Sequence, residues 1–267
     1  MIDTRTNTVI EPPIPVGRIP FGVAVTPDGS KVYVGNYLSN TVSVIATATK
    51  TVTEFPVDGP HGLAVSPDGR ILYVASTNRY PATLLAITTA TNSITAALPI
   101  GGGALGVAAT PDGSKVYVTN EALNINTVAV IATSTNKVSP IQVGYDPWGI
   151  AVTPDGSKVY AVNGGSNTVS VINPATNSVT ATISGFNGPT AFGIFIQPKR
   201  PAPIFAGTPG KANCYGRSVT ALIRQYKGLN AAAAALAFPS VRALQHAILE
   251  FCEGEAISLP ASRTSPG

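Results

Sequence analysis

The sequence predicts an all-β molecule built by repeating one four-stranded antiparallel unit, followed by a small α-helical region. Three observations carry that prediction. Pro-Asp-Gly recurs at 27–29, 67–69, 111–113 and 154–156, in steps of 40, 44 and 43 residues, and "TPDGSKVY" is written identically at 110–117 and 153–160. Around each triplet, apolar residues alternate with the period of two that marks half-buried strands. Beyond about residue 213 the spacing changes to threes and fours, the period of a helix. Repetition at such a step means one supersecondary unit per repeat, and four-stranded antiparallel units repeated about an axis make a β-propeller.

Within the first unit, residues 22–26 are a short apolar run, the inner strand. Pro27-Asp28-Gly29 then supplies a fixed φ, a side chain that bonds its own backbone and a residue free to take positive φ, which together are hairpin chemistry. Residues 31–34 alternate as a second strand and residues 40–45, rich in β-branched side chains, as a third. Residues 49–57 form a fourth, in which Pro56 is tolerated because an outer strand has no neighbour waiting for its missing N–H. The same text predicts four complete blades at about 18–59, 60–101, 102–144 and 145–185.

The two ends of the array are incomplete. Residues 1–9 align with 171–179, so residues 2–17 hold only the outer part of a blade, while 188–198 repeat an inner strand and stop. A joint blade made from both would lack its middle strands and leave open edges. Two explanations stand: an N-terminally shortened propeller, or four blades and a remnant that close imperfectly. Asp3, Arg5, Glu11 and several prolines leave the first 20 residues without an apolar run of signal length, and no stretch reads as a transmembrane segment.

After a Pro/Gly-rich linker at 199–212, residues 213–254 read as a small helical domain and 255–267 as a flexible tail. Val219, Leu222, Ile223 and Tyr226 share one helical face, residues 229–238 are alanine-rich, and Ser240 opens a third helix with Val241, Leu244, Ala247, Ile248 and Phe251 inward. Cys214 and Cys252, the only cysteines, bracket this region. So small a unit struggles to bury a sufficient core, and a disulfide between them is the ordinary remedy in an oxidising compartment; two buried thiols are the alternative.

"KVYVGN", "KVYVTN" and "KVYAVN", each followed by "SNTVSVI" or a close variant and by "TATNSV"-like text, resemble the YVTN-type β-propeller repeat of bacterial and archaeal extracellular proteins. The resemblance covers residues 2–198, with the small helical region lying beyond it. It implies a propeller with a secreted, periplasmic or cell-surface location. It says little about activity, since propellers host many unrelated functions.

Composition agrees with an exported, turn-rich β protein: only 11% of the 267 residues are charged, and 26 Gly and 23 Pro serve its turns. The net charge of +4 belongs to the tail. Residues 1–198 hold nine Lys/Arg against ten Asp/Glu, and residues 199–267 hold eight against three. Lys211, Arg217, Arg224, Lys227 and Arg242 are scattered as on a solvated helix surface, which does not favour nucleic acid as a partner.

The residue before each inner-strand glycine predicts the channel rim: Phe21, His61, Leu105, Trp148 and Phe192. That ring is apolar and aromatic around one histidine, able to hold an apolar or planar ligand but poor in groups that polarise a bond. His61 has no evident partner in sequence, so a lining or structural role is expected and its removal should leave the fold nearly unchanged. Asn36, Asn120 and Asn163, with Asn78 after a small shift, follow the second strands; their amides are ligand candidates or strand-end caps. Asp28, Asp68, Asp112 and Asp155 read as turn residues, His246 as a surface residue and 101–103 as a loop insertion. No catalytic triad, phosphate loop, metal set or cofactor motif can be assembled, so catalytic residues, metal and cofactors are all expected to be none. The expected function is a non-catalytic scaffold presenting loops to a protein, glycan or cell-surface partner without membrane insertion. The alternative is a lactonase-like propeller hydrolase.

Overall fold

The structure, a computed structural model, describes residues 2–3, 6–9, 12–78, 81–122, 125–191, 214, 219, 222–223, 229, 232–233 and 240–253. The chain divides into two compact units, Met1–Gln197 and Pro198–Gly267.

The first unit opens with a two-stranded antiparallel pair, β1 (Ile2–Asp3) and β2 (Thr8–Val9). Four sheets follow, each of four antiparallel strands in chain order. The first is β3 (Pro20–Val25), β4 (Lys31–Asn36), β5 (Thr41–Ala46) and β6 (Val52–Pro56). The second is β7 (Pro60–Val65), β8 (Ile71–Ser76), β9 (Ala82–Thr88) and β10 (Ser93–Gly101). The third is β11 (Gly103–Ala109), β12 (Lys115–Ala122), β13 (Ile125–Ala132) and β14 (Lys137–Gln142). The fourth is β15 (Pro147–Val152), β16 (Val159–Asn163), β17 (Thr168–Asn173) and β18 (Ser178–Ile183). The inner strands β3, β7, β11 and β15 pack side by side in that order, and the fold is propeller-like. The three glycines at 101–103 are not a loop insertion: Gly101 ends β10 and Gly103 begins β11.

Each Pro-Asp-Gly turn closes its hairpin as the local chemistry dictates. Gly29 takes φ 71°, and Gly69, Gly113 and Gly156 lie within a few degrees of it, a region closed to most side chains. The Gly29 N–H donates to the Thr26 carbonyl at 2.8 Å, and the Ser30 N–H and hydroxyl donate to Asp28 Oδ1 at 3.0 and 2.9 Å. Successive turns touch: a Cβ on Gly69 would meet Pro27 at 3.3 Å, one on Gly113 would meet Pro67 at 3.7 Å and one on Gly156 would meet Pro111 at 3.5 Å.

The core of this unit is a series of inter-sheet clusters. Tyr33, Val42 and Val44 of the first sheet pack on Leu63, Leu72 and Ile87 of the second. Ala75 and Leu84 pack on Val107 and Val118, and Tyr117, Val128 and Val130 pack on Ile150, Val159 and Ile172. Each buried large aliphatic or aromatic side chain contributes about 1.5–3 kcal/mol, so the contacts between neighbouring sheets carry the stability of the array. Polar tethers follow the same plan. The Gly59 N–H donates to Asn40 Oδ1 at 2.8 Å, the Asp146 N–H to Asn126 Oδ1 at 3.2 Å and the Gly188 N–H to Asn167 Oδ1 at 2.6 Å. The Asn of the "NTV" text therefore ties the first, third and fourth sheets to the segments that follow them.

In the second unit, α1 (Val241–Glu253) starts at Ser240, whose hydroxyl accepts from the Ala243 N–H at 3.1 Å as an N-cap. Leu244, Ala247 and Ile248 are buried with Leu222, Ala232 and Ala233. Cys214 and Cys252 are joined in a disulfide with Cα atoms 5.7 Å apart, as the sequence leads one to expect. The two earlier helices of the sequence reading fall mostly outside the described residues, as do the linker and the tail.

Candidate functional site

The four inner strands line a half-open cavity of about 210 Å³, and its construction begins with a backbone irregularity. In every inner strand the register slips near its start: Pro20 to Val23, Pro60 to Leu63, Ala104 to Val107 and Pro147 to Ile150. Such a bulge bends the strand and re-aims what it carries. What it carries is a glycine, and the absence of a side chain lets adjacent strands touch by backbone. A Cβ on Gly22 would stand 2.2 Å from the His61 carbonyl oxygen, one on Gly62 2.0 Å from that of Leu105, one on Gly106 2.7 Å from that of Trp148 and one on Gly149 2.3 Å from that of Ala191.

The cavity wall is thus made of Gly22-Val23, Gly62-Leu63, Gly106-Val107 and Gly149-Ile150, closed by Phe21 and Ala191. Of the rim residues read from sequence, Phe21 alone lines it. His61, Leu105 and Trp148 instead give their carbonyls to the neighbouring glycine, and the side chains of His61 and Leu105 are buried. Phe192 lies outside the described residues. The signal for the true lining was the glycine itself, repeated at 22, 62, 106 and 149. Its downstream neighbour also touches the cavity because the bulge shifts the alternation, although Leu63, Val107 and Ile150 stay buried in the inter-sheet clusters, and a bulge leaves no mark in the sequence.

At one corner the structure gathers Phe21, Tyr37 and His61. The Phe21 and His61 rings stack with centroids 4.3 Å apart at 18°, and Tyr37 stands edge-on to Phe21 at 5.7 Å and to His61 at 6.2 Å. Burial holds the His61 imidazole below its ordinary range, partly offset by a hydrogen bond with the Leu105 backbone. His61 is therefore a packed, neutral ring rather than a bystander on the rim.

The asparagines are pinned within their sheets. Asn36 Nδ2 donates to Thr41 Oγ1 at 3.1 Å and Ser43 Oγ at 2.8 Å, and Asn163 Nδ2 makes the same pair with Thr168 and Ser170 at 3.1 and 2.9 Å. Asn120 Nδ2 donates to the Ile100 carbonyl at 2.6 Å. Gly17, Gly101 and Gly144 lie so close over Asn36, Asn120 and Asn163 that any Cβ there would clash. Asn36 and Asn163 end their second strands and Asn120 stands two residues before the end of β12, and none of the three lines the cavity. Asn78 is out of register: Ser76 holds the equivalent place in the second sheet, and Asn78 Nδ2 donates to Asn40 Oδ1 at 2.9 Å.

The turn aspartates are engaged locally. The Thr26, Thr110 and Thr153 hydroxyls, then the N–H and hydroxyl groups of Ser30, Ser114 and Ser157, hold Asp28, Asp112 and Asp155 at about 2, and Asp68 is lowered first by Ser66. Lys31 Nζ reaches the Thr89 carbonyl at 2.8 Å, and Lys115 Nζ reaches the Pro174 carbonyl and Asn177 Oδ1, so two lysines bridge successive sheets. A carboxylate pair that the sequence did not reveal stands between the third and fourth sheets. Burial, then the charge of Asp146 and a hydrogen bond with it, raise Glu121. Their 25-residue separation carries no motif. Among the described residues, no three His, Cys, Asp or Glu side chains gather as a metal would need, and no helix is long and apolar enough to cross a membrane.

No protein-family profile and no curated protein matches the sequence. Solved structures do match. A hydrazine synthase from Kuenenia stuttgartiensis is similar with TM-score 0.59 at 25% identity, over 67% of this chain and 53% of that one. A functionally unknown protein from Desulfotomaculum acetoxidans gives 0.57 at 19% identity, over 66% and 59%. A "putative 6-phosphogluconolactonase" from Bacteroides uniformis gives 0.55 at 17% identity, over 64% and 56%. The chain spans between half and three fifths of the length of these structures, and at such identities the second and third bear on the fold alone.

Proposed function

We propose that the chain is a YVTN-type β-propeller scaffold that binds a protein, glycan or cell-surface partner without catalysing a reaction. The observation that carries this reading is the cavity between the inner strands, whose lining is glycine backbone, aliphatic side chains and Phe21, with no titratable group among the described residues. Such a lining suits an apolar group, and none of its described residues can transfer a proton. The disulfide supports an oxidising compartment, hence a secreted, periplasmic or cell-surface setting.

One observation favours a second reading. Glu121, raised by burial and by Asp146, is a carboxyl of the kind that general acids use, and the name of the Bacteroides uniformis structure points to lactone hydrolysis. The test is a panel of lactones assayed with calcium, magnesium or zinc and after chelation, on the wild type and on Glu121→Gln. The scaffold reading expects no turnover above buffer. Turnover that Glu121→Gln or chelation removes would replace it with the hydrolase.

A further inference from the structure

We infer that two equivalent cavities on the turn side of the array each bind a pyranose unit of a neutral glycan, through the aspartates of two Pro-Asp-Gly turns and the lysine that bridges their sheets. The inference rests on the scaffold reading above and selects the glycan among its partners.

The first cavity, of about 360 Å³, lies between the first and second sheets and is lined by Asp28, Lys31, Asp68 and Thr89. The second, of about 590 Å³, lies between the third and fourth and is lined by Asp112, Lys115, Asp155 and Pro174, the same places in the repeat. Both junctions are internal to the array, with a complete four-stranded sheet on each side. Both volumes fall within the roughly 300–1,000 Å³ of small-ligand pockets.

The charges select the ligand. Each cavity brings two carboxylates held ionised by their own turns, which disfavours an anion, and one ammonium, which disfavours a metal ion. A neutral ligand that both donates and accepts is what fits. Adjacent ring hydroxyls of a pyranose do both: carboxylate oxygens accept from them, and the ammonium donates to them. Of its three N–H groups, Lys31 gives one to the Thr89 carbonyl, and Lys115 gives two, to the Pro174 carbonyl and Asn177 Oδ1. Pro27 in the first cavity and Pro111 in the second add apolar surface for the C–H face of a sugar. An extended peptide fits poorly, because it needs free ladder groups. The Gly29, Ser30 and Lys31 N–H groups are already engaged by the Thr26 carbonyl, Asp28 Oδ1 and Thr26 Oγ1.

A buried hydroxyl points to the same place. Tyr117 Oη donates to Asn177 Oδ1 at 3.3 Å, sharing that acceptor with the Lys115 ammonium. Tyr33 and Asn92 hold the corresponding positions at the first cavity, Tyr33 two residues along β4 from Lys31 and on its face. There the hydroxyl of Tyr33, a side chain 0% exposed, and Asn92 Oδ1 have no hydrogen-bond partner. Buried polar groups of this kind are costly until paired, and a sugar hydroxyl supplies the pairing. Between the second and third sheets Ile71 stands where Lys31 and Lys115 stand elsewhere. The described sheets therefore offer two sites, and a glycan that reaches both gains by avidity.

The probes are neutral hexasaccharides of glucose, mannose, galactose and N-acetylglucosamine, titrated separately into isotope-labelled protein and followed by amide NMR. At least one should bind with Kd below about 1 mM, with saturable shifts at Ser30 and Ser114. Lys31→Met should abolish the Ser30 shifts and keep those at Ser114, and Lys115→Met should do the reverse, so the surviving site reports that each variant is folded. Asp68→Asn or Asp155→Asn, which keeps the acceptor oxygen of the turn, should weaken its own cavity at least about tenfold. No saturable shift with any hexasaccharide at about 10 mM, or shifts unaltered by both lysine replacements, overturns the proposal. Shifts given by calcium or phosphate alone and not by the sugars also overturn it, assigning the cavities to an ion. Lactone turnover would strike the scaffold reading itself, whatever the sugars do.

Discussion

Asp112 stays charged far into acid because Thr110 and Ser114 of its own turn hold the carboxylate, and Asp28 and Asp155 repeat the arrangement. Their folded values, about 2, lie below the unfolded value near 3.9. The contribution to stability is complete above about pH 4 and is lost as pH falls toward 2. Carboxyl-carbon NMR titration should place these midpoints near 2, and Asp112→Ala, which leaves the Ser114 N–H without its acceptor, should lower Tm at pH 7 but hardly at pH 2. His61 behaves differently. The sequence suggested that its removal would leave the fold nearly unchanged; buried and stacked on Phe21, it should cost on the order of 2–4 kcal/mol on truncation to Ala, read from denaturant unfolding. Its lowered pKa makes its contribution complete above about 6.5 and lost as pH falls through the folded value. Glu121 has the opposite sign. Its raised carboxyl favours the fold below the ordinary range and opposes it as pH rises, so Glu121→Gln should raise Tm at pH 7 and change it little at pH 4.

Two glycines of successive inner hairpins, Gly29 between β3 and β4 and Gly62 in β7, separate the reasons for which an element needs that residue. Gly62 has ordinary backbone, but its Cβ would stand 2.0 Å from a carbonyl that cannot move without its strand. Gly62→Ala should therefore cost at least the 1–3 kcal/mol usual for overpacking, about. Gly29 has free space around it but a φ of 71°, so Gly29→Ala should cost only about 1–2 kcal/mol, the ordinary penalty of left-handed backbone. Denaturant melts of the two variants would give the order, and a reversed order would contradict the backbone contact. The hairpins, their turns and the strand order were legible because those signals are local: Pro-Asp-Gly closes on neighbours within five residues. The Ser240 cap was legible for the same reason. The asparagine tethers, the lysine bridges and the glycine seats were not, because each partner lies 19 to 62 residues away. Asn36 read as a ligand candidate or a strand-end cap because exposure cannot be seen in a sequence, and the structure buries it under Gly17.

At the scale of the whole molecule, the two units hold themselves together by different means. The array relies on contacts between successive sheets, whereas Pro198–Gly267 combines a small aliphatic cluster with one covalent link. Closing 38 residues, the Cys214–Cys252 bond should contribute about 3–4 kcal/mol to that unit. Reduction, or Cys252→Ser, should lower the helical transition followed at 222 nm and leave the sheet transition in place; a single transition shifted as a whole would mean the units unfold together. The seating of each inner-strand glycine on the next carbonyl has a wider consequence. Because the spacing between neighbours is set by main chain against main chain, it does not depend on which side chains decorate either unit. A gene segment of some 40 codons that is copied in tandem thus brings its own mounting geometry, and the inserted copy fits its predecessor at once. The near-verbatim nonapeptide at 110–118 and 153–161 is what such a lineage leaves behind, and the seating glycines 106 and 149 stand four residues ahead of it in both copies.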